Sequence, residues 1–232
     1  GGFCKGTPDE YGVTVYKMGF CTKNPANPTL GSVLVGSAPD YSTCSWTYEN
    51  STGEAASFSA GGSLDLSESF ASAPTTGTYP FAVMLISKDF NIKGKFGPVG
   101  GKTYYSTSTF QTSSTDIDDY ATQVAPLNTF GGGSECVAYT EGEAVTDGTI
   151  SAYLINSSGI LLENDSSLSE CSGQEKLLGV MKMSSDLTIS DATTGLKMTF
   201  TVTNNGMSVV TNREGTDIYV DSGPFSVKFD TF

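Results

Sequence analysis

The chain has 232 residues, of which 25 are acidic and 12 basic, so its formal net charge is −13 at pH 7. This charge repels phosphate backbones and disfavours nucleic-acid binding, and the lack of a long apolar run excludes a transmembrane helix. The sequence has no histidine, which removes Ser-His-Asp and Cys-His catalytic arrangements and imidazole metal sites.

The N-terminal residue is Gly1 rather than Met, and Ser, Thr, Gly and Asn dominate the polar positions. These features indicate a processed chain whose targeting segment has been removed. We therefore predict an extracellular or cell-surface location.

Two stretches of different character make up residues 1–20. Residues 1–10 are rich in Gly, Pro and charge, which leaves them little to fold upon locally. Residues 11–20 are β-branched and aromatic on both faces, a pattern typical of a strand buried on both sides. We assign residues 1–20 to an N-terminal extended segment with the first strand, and residues 21–232 to a β-sandwich domain.

Residues 11–20 admit two interpretations. They carry more apolar surface than an edge strand of a monomer should expose, which favours burial by a neighbouring copy of the chain. Alternatively they form a central strand of their own domain, because burial on both faces also describes an interior sandwich strand. On the first interpretation the candidate subunit-interface residues are Phe3, Cys4, Val13, Val15, Met18 and Phe20.

The five cysteines are widely spaced, and none forms a CxxC pair, which disfavours a zinc ribbon or a thioredoxin-type motif. Spaced cysteines in a secreted β protein are typical of disulfides. We predict the pairs Cys21–Cys44 and Cys136–Cys171, because each bridges a turn-rich stretch and closes a loop worth about 3–4 kcal/mol. Cys4 is then a free thiol or an intermolecular partner.

Period-two patterns continue through the first half of the chain. The predicted strands are 32–35, 43–48, 55–60, 79–87, 90–95 and 102–111, separated by turns rich in Pro and Gly.

One short helix is predicted near residues 116–125. Its apolar stripe falls at i, i+3, i+4 and i+7, Thr115 is a suitable N-cap and Pro126 ends it. Three acidic residues occupy its first turn, where their negative charges interact favourably with the helix dipole. We prefer this role to calcium binding, because Tyr120 stands where an EF-hand loop has its fifth-position ligand. The stripe consists of Ile117, Tyr120, Ala121 and Val124.

Residues 131–134 (GGGS) are a loop or an internal hinge. Strands resume after them, and Asn205-Gly206 predicts a hairpin between strands 196–203 and 207–211. The C-terminal residues 225–232 alternate apolar and polar side chains, which indicates a final strand. Strands without regular helices between them predict an all-β chain, a β-sandwich or jelly roll.

Three sets of residues suggest chemistry, and each has a simpler explanation. Asp221-Ser222-Gly223 matches one half of an aspartic-protease signature, but that mechanism needs two such carboxylates. Three glutamates could supply a carboxylate pair for glycoside hydrolysis, provided their spacing is right. Alternating aromatics could stack on sugars, although they are more often core residues. The glutamates are Glu135, Glu141 and Glu143, and the aromatics are Trp46, Tyr48, Tyr104, Tyr105 and Phe110.

In its general features the chain resembles secreted prokaryotic all-β fibre and pilus subunits. It shares with them an acidic, Ser/Thr/Gly-rich composition, a distinctive N-terminal strand within residues 1–20 and a jelly-roll-like series of strands. The resemblance implies donor-strand exchange, in which an extended segment of one subunit completes its neighbour's sheet. The chain departs from chaperone-assembled pilins in its cysteine spacing and in lacking a penultimate Tyr, and from type IV pilins in lacking their hydrophobic N-terminal helix.

We therefore expect a non-enzymatic extracellular structural subunit that binds copies of itself in a surface filament or layer. No cofactor, metal, nucleic acid or membrane insertion is expected. The first alternative is a carbohydrate-binding adhesin or virion appendage domain, which would make a glycan contact. The second is a hydrolase that uses carboxylates alone.

Overall fold

The architecture is almost entirely antiparallel β, in a computed structural model that describes residues 3–29, 31–59, 74–131, 134–145, 147–194, 196–202, 204–211, 218–223 and 225–231. In chain order the strands are β1 (Phe3–Gly6), β2 (Glu10–Cys21), β3 (Cys44–Ser59), β4 (Gly77–Lys93), β5 (Lys95–Val99), β6 (Lys102–Ser106), β7 (Ser113–Ser114), β8 (Gln123–Pro126), β9 (Tyr139–Val145), β10 (Gly148–Asn156), β11 (Gln174–Ile189), β12 (Leu196–Thr201), β13 (Met207–Thr211), β14 (Ile218–Ser222) and β15 (Ser226–Thr231). Two single 3₁₀ turns accompany them in these ranges, at Tyr41–Thr43 and Ile117–Asp119. The all-β fold class predicted from the sequence is confirmed.

A seven-stranded sheet is the centre of the molecule. Its strand order is β3-β2-β4-β11-β10-β9, and β8 pairs with the last residues of β4. β4 is long enough to pair with β11 over its first part and with β8 over its last part. Apolar side chains alternate between the two faces of its long strands, so both faces of the sheet carry a core.

The larger core lies on the face that carries Tyr11, Phe20 and Ile86, whose side chains are no more than 2% exposed. The opposite face carries Val83, Tyr153 and Leu178 in a smaller cluster. Loop residues around Ala26 and Leu34 cover that smaller cluster. The large sheet is thus the middle layer of the fold.

In the described part of the chain three small sheets complete the fold, with strand orders β1-β13-β14, β12-β15 and β5-β6-β7. Aromatic contacts join β15 to the large sheet, with the rings of Phe20 and Phe229 5.0 Å apart between centroids. A buried amide joins β8 to β14, because Gln123 Nε2 donates to the Val220 carbonyl at 2.5 Å. Phe225 and Phe229 pack against the larger core, as the alternating pattern of the C-terminal residues predicts.

The helix predicted at residues 116–125 is wrong. The chain makes one 3₁₀ turn at Ile117–Asp119 and then enters β8. Ile117 and Val124, two members of the predicted apolar stripe, are 64% and 51% exposed. The segment has the alternation of a strand instead: Gln123 and Ala125 are buried, and β8 forms an antiparallel ladder with β4. Ladder pairing satisfies backbone groups of β4 that a helix would have left without partners.

The hairpin predicted around Asn205-Gly206 is also wrong. The turn itself forms, with Asn204 at φ +58° and the Gly206 amide donating to the Val202 carbonyl at 2.8 Å. However, β12 pairs with β15, whereas β13 pairs with β1 and β14. The turn therefore carries the chain from one small sheet to another. The strand expected at residues 32–35 is absent from the described ranges, which contain only an isolated Thr29–Ser32 bridge there.

Residues 11–20 form the central part of β2, between β3 and β4. β2 thus shares the large sheet with later strands of the chain, whereas β1 belongs to a small sheet. Gly132 and Gly133, in the middle of the suggested hinge, lie outside the described residues. No helix in the described part of the chain has the length and apolarity needed to cross a bilayer.

Both predicted disulfides are confirmed. Cys21 and Cys44 face each other across the β2–β3 ladder, with Cα atoms 4.0 Å apart. Cys136 and Cys171 join the segments that precede β9 and β11, with Cα atoms 4.5 Å apart. Two disulfides are typical of a chain that folds in an oxidising environment.

Candidate functional site

The N-terminal strand β1 lies at the edge of a small sheet. It pairs antiparallel with β13, from Phe3 opposite Val210 to Gly6 opposite Met207. β13 pairs with β14 on its other side, and β1 has no second partner strand among the described residues. The strand is therefore bound to the rest of the molecule along one ladder of four residues.

The residues that follow β1 are bonded to a different part of the molecule, and the Asp9 amide donates to the Lys93 carbonyl at 2.8 Å. Asp9 accepts a hydrogen bond from the Tyr120 hydroxyl and lies 3.5 Å from Lys95 Nζ. Glu10 lies 3.8 Å from Lys93 Nζ, and burial together with the Asp9 hydrogen bond raises the pKa of Tyr120. Pro8 is buried. The chain therefore changes from an edge strand to an anchored segment at residues 7–8.

Cys4 is exposed and unbridged, in the middle of β1. Its ladder partner is Val209, which is 1% exposed. The side chain of Phe3 lies outside the described part of the structure. The site thus places a free thiol on a short strand that pairs along one side only.

The structure places the other four candidate interface residues in the chain's own core. Their exposed fractions lie between 1% and 6%, and they lie on β2 between two neighbouring strands. This corresponds to the central-strand interpretation, since a neighbouring copy could reach these side chains only if β2 left the sheet. The four residues are Val13, Val15, Met18 and Phe20.

The three glutamates do not converge. Glu141 accepts hydrogen bonds from the Tyr153 hydroxyl at 2.7 Å and from Asn27 Nδ2 at 3.1 Å, on the side of the smaller core. Glu143 accepts from the Thr140 hydroxyl at 3.3 Å and lines the side of the larger core. Glu135 lies outside the strands, exposed. Burial and the Glu141 contact hold the pKa of Tyr153 above its ordinary value.

The aromatic residues do not form one platform either. Tyr48 is fully buried, whereas Trp46 packs edge-on against Tyr41 with ring centroids 5.1 Å apart. Tyr104 and Phe110 pack against the larger core, to which Tyr48 belongs, whereas Trp46 packs against the smaller one. Tyr105 packs against Tyr120 with ring centroids 5.2 Å apart. These residues serve packing, which is the commoner role of alternating aromatics.

Asp221 stands alone as a carboxylate on β14. Burial raises its pKa above the ordinary value of 3.8, and it accepts a hydrogen bond from the Ser222 amide at 2.7 Å. Asp116 caps the 3₁₀ turn by accepting from the Asp118 amide at 3.0 Å. Within the described ranges, no three Asp, Glu or Cys side chains form a group suited to holding a metal ion.

An apolar cavity of about 1070 Å³ lies on the larger-core face of the big sheet. Its floor crosses five strands of the large sheet, β2, β4, β11, β10 and β9. Part of the opposite wall is formed by β14 together with Phe225 and Phe229. Sequence reasoning did not anticipate it. One signal was present, because Gly179 interrupts the apolar strand 177–181 and a glycine inside a strand often marks a gap.

The chain matches no protein-family model, and it is similar to none of the curated proteins or solved structures compared with it. Its function is therefore argued from its own residues.

Proposed function

We propose that this chain is a non-enzymatic structural subunit of an extracellular filament or layer, and that copies join by exchanging β1. The observation that carries the proposal is the contrast between the two sides of residues 7–8. β1 is attached by one short ladder, whereas Asp9 and Glu10 are held by ion pairs and a hydrogen bond. The proposal corrects the sequence-based choice of anchors, because β2 stays in its own sheet.

Exchange of β1 costs little in enthalpy. When β1 leaves, the edge of β13 presents the same backbone groups to the β1 of a second copy as it presented to the β1 of its own chain. Domain swapping replaces intramolecular contacts by identical intermolecular ones, so protein concentration and the geometry of residues 7–8 decide between the two states. Strand addition of this kind takes its affinity from main-chain hydrogen bonds.

The geometry of exchange also favours an open polymer. A copy that donates β1 to one neighbour and accepts it from another makes a head-to-tail contact, which continues as a filament when the rotation does not close. Pairing of two β1 edges with each other would instead give a closed two-fold dimer. Exchange is therefore the mode that fits a filament or layer.

The decisive experiment removes β1 and leaves the anchored residues in place. We expect the full chain to form filaments in negative-stain electron micrographs, and a chain lacking residues 1–6 to remain a folded monomer by circular dichroism and sedimentation. A chain lacking only residues 1–2 is the matched control, because it keeps β1, and should polymerise. Polymerisation of the chain lacking residues 1–6, or a full chain that stays monomeric at all concentrations, would contradict the proposal.

A designed cross-link separates exchange from other contacts. Cys4 lies directly opposite Val209, the same relation that Cys21 and Cys44 have in their disulfide. In a Val209→Cys variant, exchange gives a ladder of disulfide-linked oligomers on a non-reducing gel, whereas an unexchanged strand gives only bridged monomer. Adding Cys4→Ser to that variant should abolish the ladder. Bridged monomer alone, in preparations that contain filaments, would exclude β1 exchange.

A further inference from the structure

The cavity on the larger-core face is a cleft that is partly open to solvent, with a volume of about 1070 Å³. Native cores are close-packed, with few voids larger than a water molecule, so a cleft of this volume is of the size that holds a ligand. Its middle is walled by Met18, Met84, Met181 and Phe229. Such walls offer no hydrogen-bond partners to ordered water. A volume of this size and character is typical of a site for an apolar ligand.

The shape of the cavity is elongated across the sheet. Its floor spans five neighbouring strands from β2 to β9, and four steps between strands correspond to about 19 Å. Gly179 lies midway along this floor, and a Cβ added there would approach only the Met84 carbonyl, at 3.8 Å. Met18 on β2, Met84 on β4 and Met181 on β11 have flexible side chains that adapt to an irregular apolar guest.

The two ends of the cavity carry opposite charges. Lys5, Asn205 and Ser222 line one end, beside Tyr11. Lys5 is exposed and forms no ion pair with any of the described residues. The other end carries the exposed carboxylate of Glu143 on the edge strand β9. An anionic head group is therefore attracted to the Lys5 end and repelled from the Glu143 end.

The walls distinguish an alkyl chain from a peptide. The floor of the cavity is the face of a sheet, whose backbone groups are already bonded within the ladders of β4, β11 and β10. A peptide strand placed on this face would bury its own N–H and C=O groups without partners, which is costly. An alkyl chain has no such groups.

We propose that this cavity binds one single-chain amphiphile with an anionic head group, such as a long-chain carboxylate or an alkyl phosphate. The head lies near Lys5, Asn205 and Ser222, and the tail crosses β4, β11 and β10 towards β9. Lys5 lies on β1, so in an exchanged filament the Lys5 of a neighbouring copy takes the head-group position. The tail site on β4, β11 and β10 is the same with or without exchange, so failure of the assembly proposal leaves it standing.

The test uses hexadecanoate and hexadecyl phosphate as probes, with hexadecan-1-ol and hexanoate for comparison. Titration calorimetry and native mass spectrometry of the full chain should show one hexadecanoate or hexadecyl phosphate per chain, and the melting temperature should rise with ligand concentration. Hexanoate should bind much more weakly, because it buries far less apolar surface. The tighter of the two long-chain anions identifies the head group.

Two variants place the tail and the head. Gly179→Leu fills the floor of the cavity and should abolish binding without lowering the melting temperature of the free protein, whereas Thr188→Leu, at an exposed position of the same strand, should bind normally. Lys5→Gln should weaken binding of the anionic probes by about two- to fivefold and leave hexadecan-1-ol unchanged. Lys102→Gln, at an exposed lysine outside the cavity, is the matched control.

If Gly179→Leu fails to fold, Ala152→Leu narrows the same part of the cavity, because Ala152 lies opposite Gly179. Absence of hexadecanoate and hexadecyl phosphate binding to the unmodified chain would overturn the proposal. Unchanged binding by both cavity-filling variants would overturn it equally.

Discussion

The hydroxyl of Tyr11 donates a hydrogen bond to the carbonyl of Gly223 at 3.3 Å, which joins the central strand β2 to the end of β14. The Tyr11 side chain is 2% exposed, and burial raises the pKa of its hydroxyl. The two residues lie 212 positions apart in the sequence. This contact therefore couples the N-terminal strand of the large sheet to a small sheet near the end of the chain.

Removal of that hydroxyl tests the coupling. We expect Tyr11→Phe to lower the free energy of unfolding by about 1–2 kcal/mol, because the Gly223 carbonyl loses a partner inside the protein. Chemical denaturation measures the difference. Tyr16→Phe, on the same strand but only half-buried, is the control and should change stability by less than about 0.5 kcal/mol. Equal effects of the two variants would show that the hydrogen bond is not a stabilising link.

Asp221 should make the fold less stable as the pH rises. Burial raises its pKa in the folded state above the ordinary value of 3.8, so the folded protein holds this proton more tightly than the unfolded chain does. Stability from this group is present below pH 3.8 and is lost as the pH rises through the folded-state pKa. Asp221→Asn should therefore stabilise the protein at pH 7, and the gain should vanish near pH 3.

Asp165 supplies a comparison of opposite sign. Hydrogen bonds from Ser167 lower the pKa of this carboxylate, so its contribution is present above its unfolded-state pKa and is lost as the pH falls through the folded-state pKa. Asp165→Asn should give no gain at pH 7. Denaturation curves of both variants between pH 3 and pH 7 check the prediction, and a pH-independent effect of Asp221→Asn would refute it.

The disulfide between Cys136 and Cys171 should contribute strongly to stability, because it closes a loop with a sequence separation of 35 residues. Replacing both residues by Ser should cost about 3–4 kcal/mol. Thiol labelling supplies an independent check of the oxidation state. One of the five cysteines, Cys4, should react before reduction and all five after it, whereas five reactive thiols in freshly isolated protein would exclude an oxidising compartment.

Assembly should strengthen as salt is added. Each copy carries a formal net charge of −13, so copies repel one another over a distance that falls from about 30 Å at 0.01 M salt to about 8 Å at 0.15 M. Light scattering at fixed protein concentration should show longer assemblies at the higher salt concentration. Dissociation on adding salt would mean that attraction between opposite charges holds the interface.

Several features of this protein followed from local sequence patterns. The two-sided apolar pattern of residues 11–20 and the apolar–polar alternation of residues 225–232 predicted strands, since a pleated strand sends successive side chains to opposite faces. The pairs Cys21–Cys44 and Cys136–Cys171 followed from their separation by turn-rich stretches. The strands depend on residues that lie close together in the chain, and the disulfide pairs on the spacing of the cysteines along it.

The tertiary structure decided which strands meet. Residues 11–20 have the same two-sided apolar pattern whether β3 and β4 or a neighbouring copy cover them, and only pairing at long range places them inside the chain's own sheet. Residues 117–124 match a helical stripe, but residues 123–126 form a strand that pairs with the last part of β4. The turn at Asn204 likewise connects two sheets. In each case backbone hydrogen bonds and burial between distant segments outweigh the local preference, which is worth only tenths of a kcal/mol per residue.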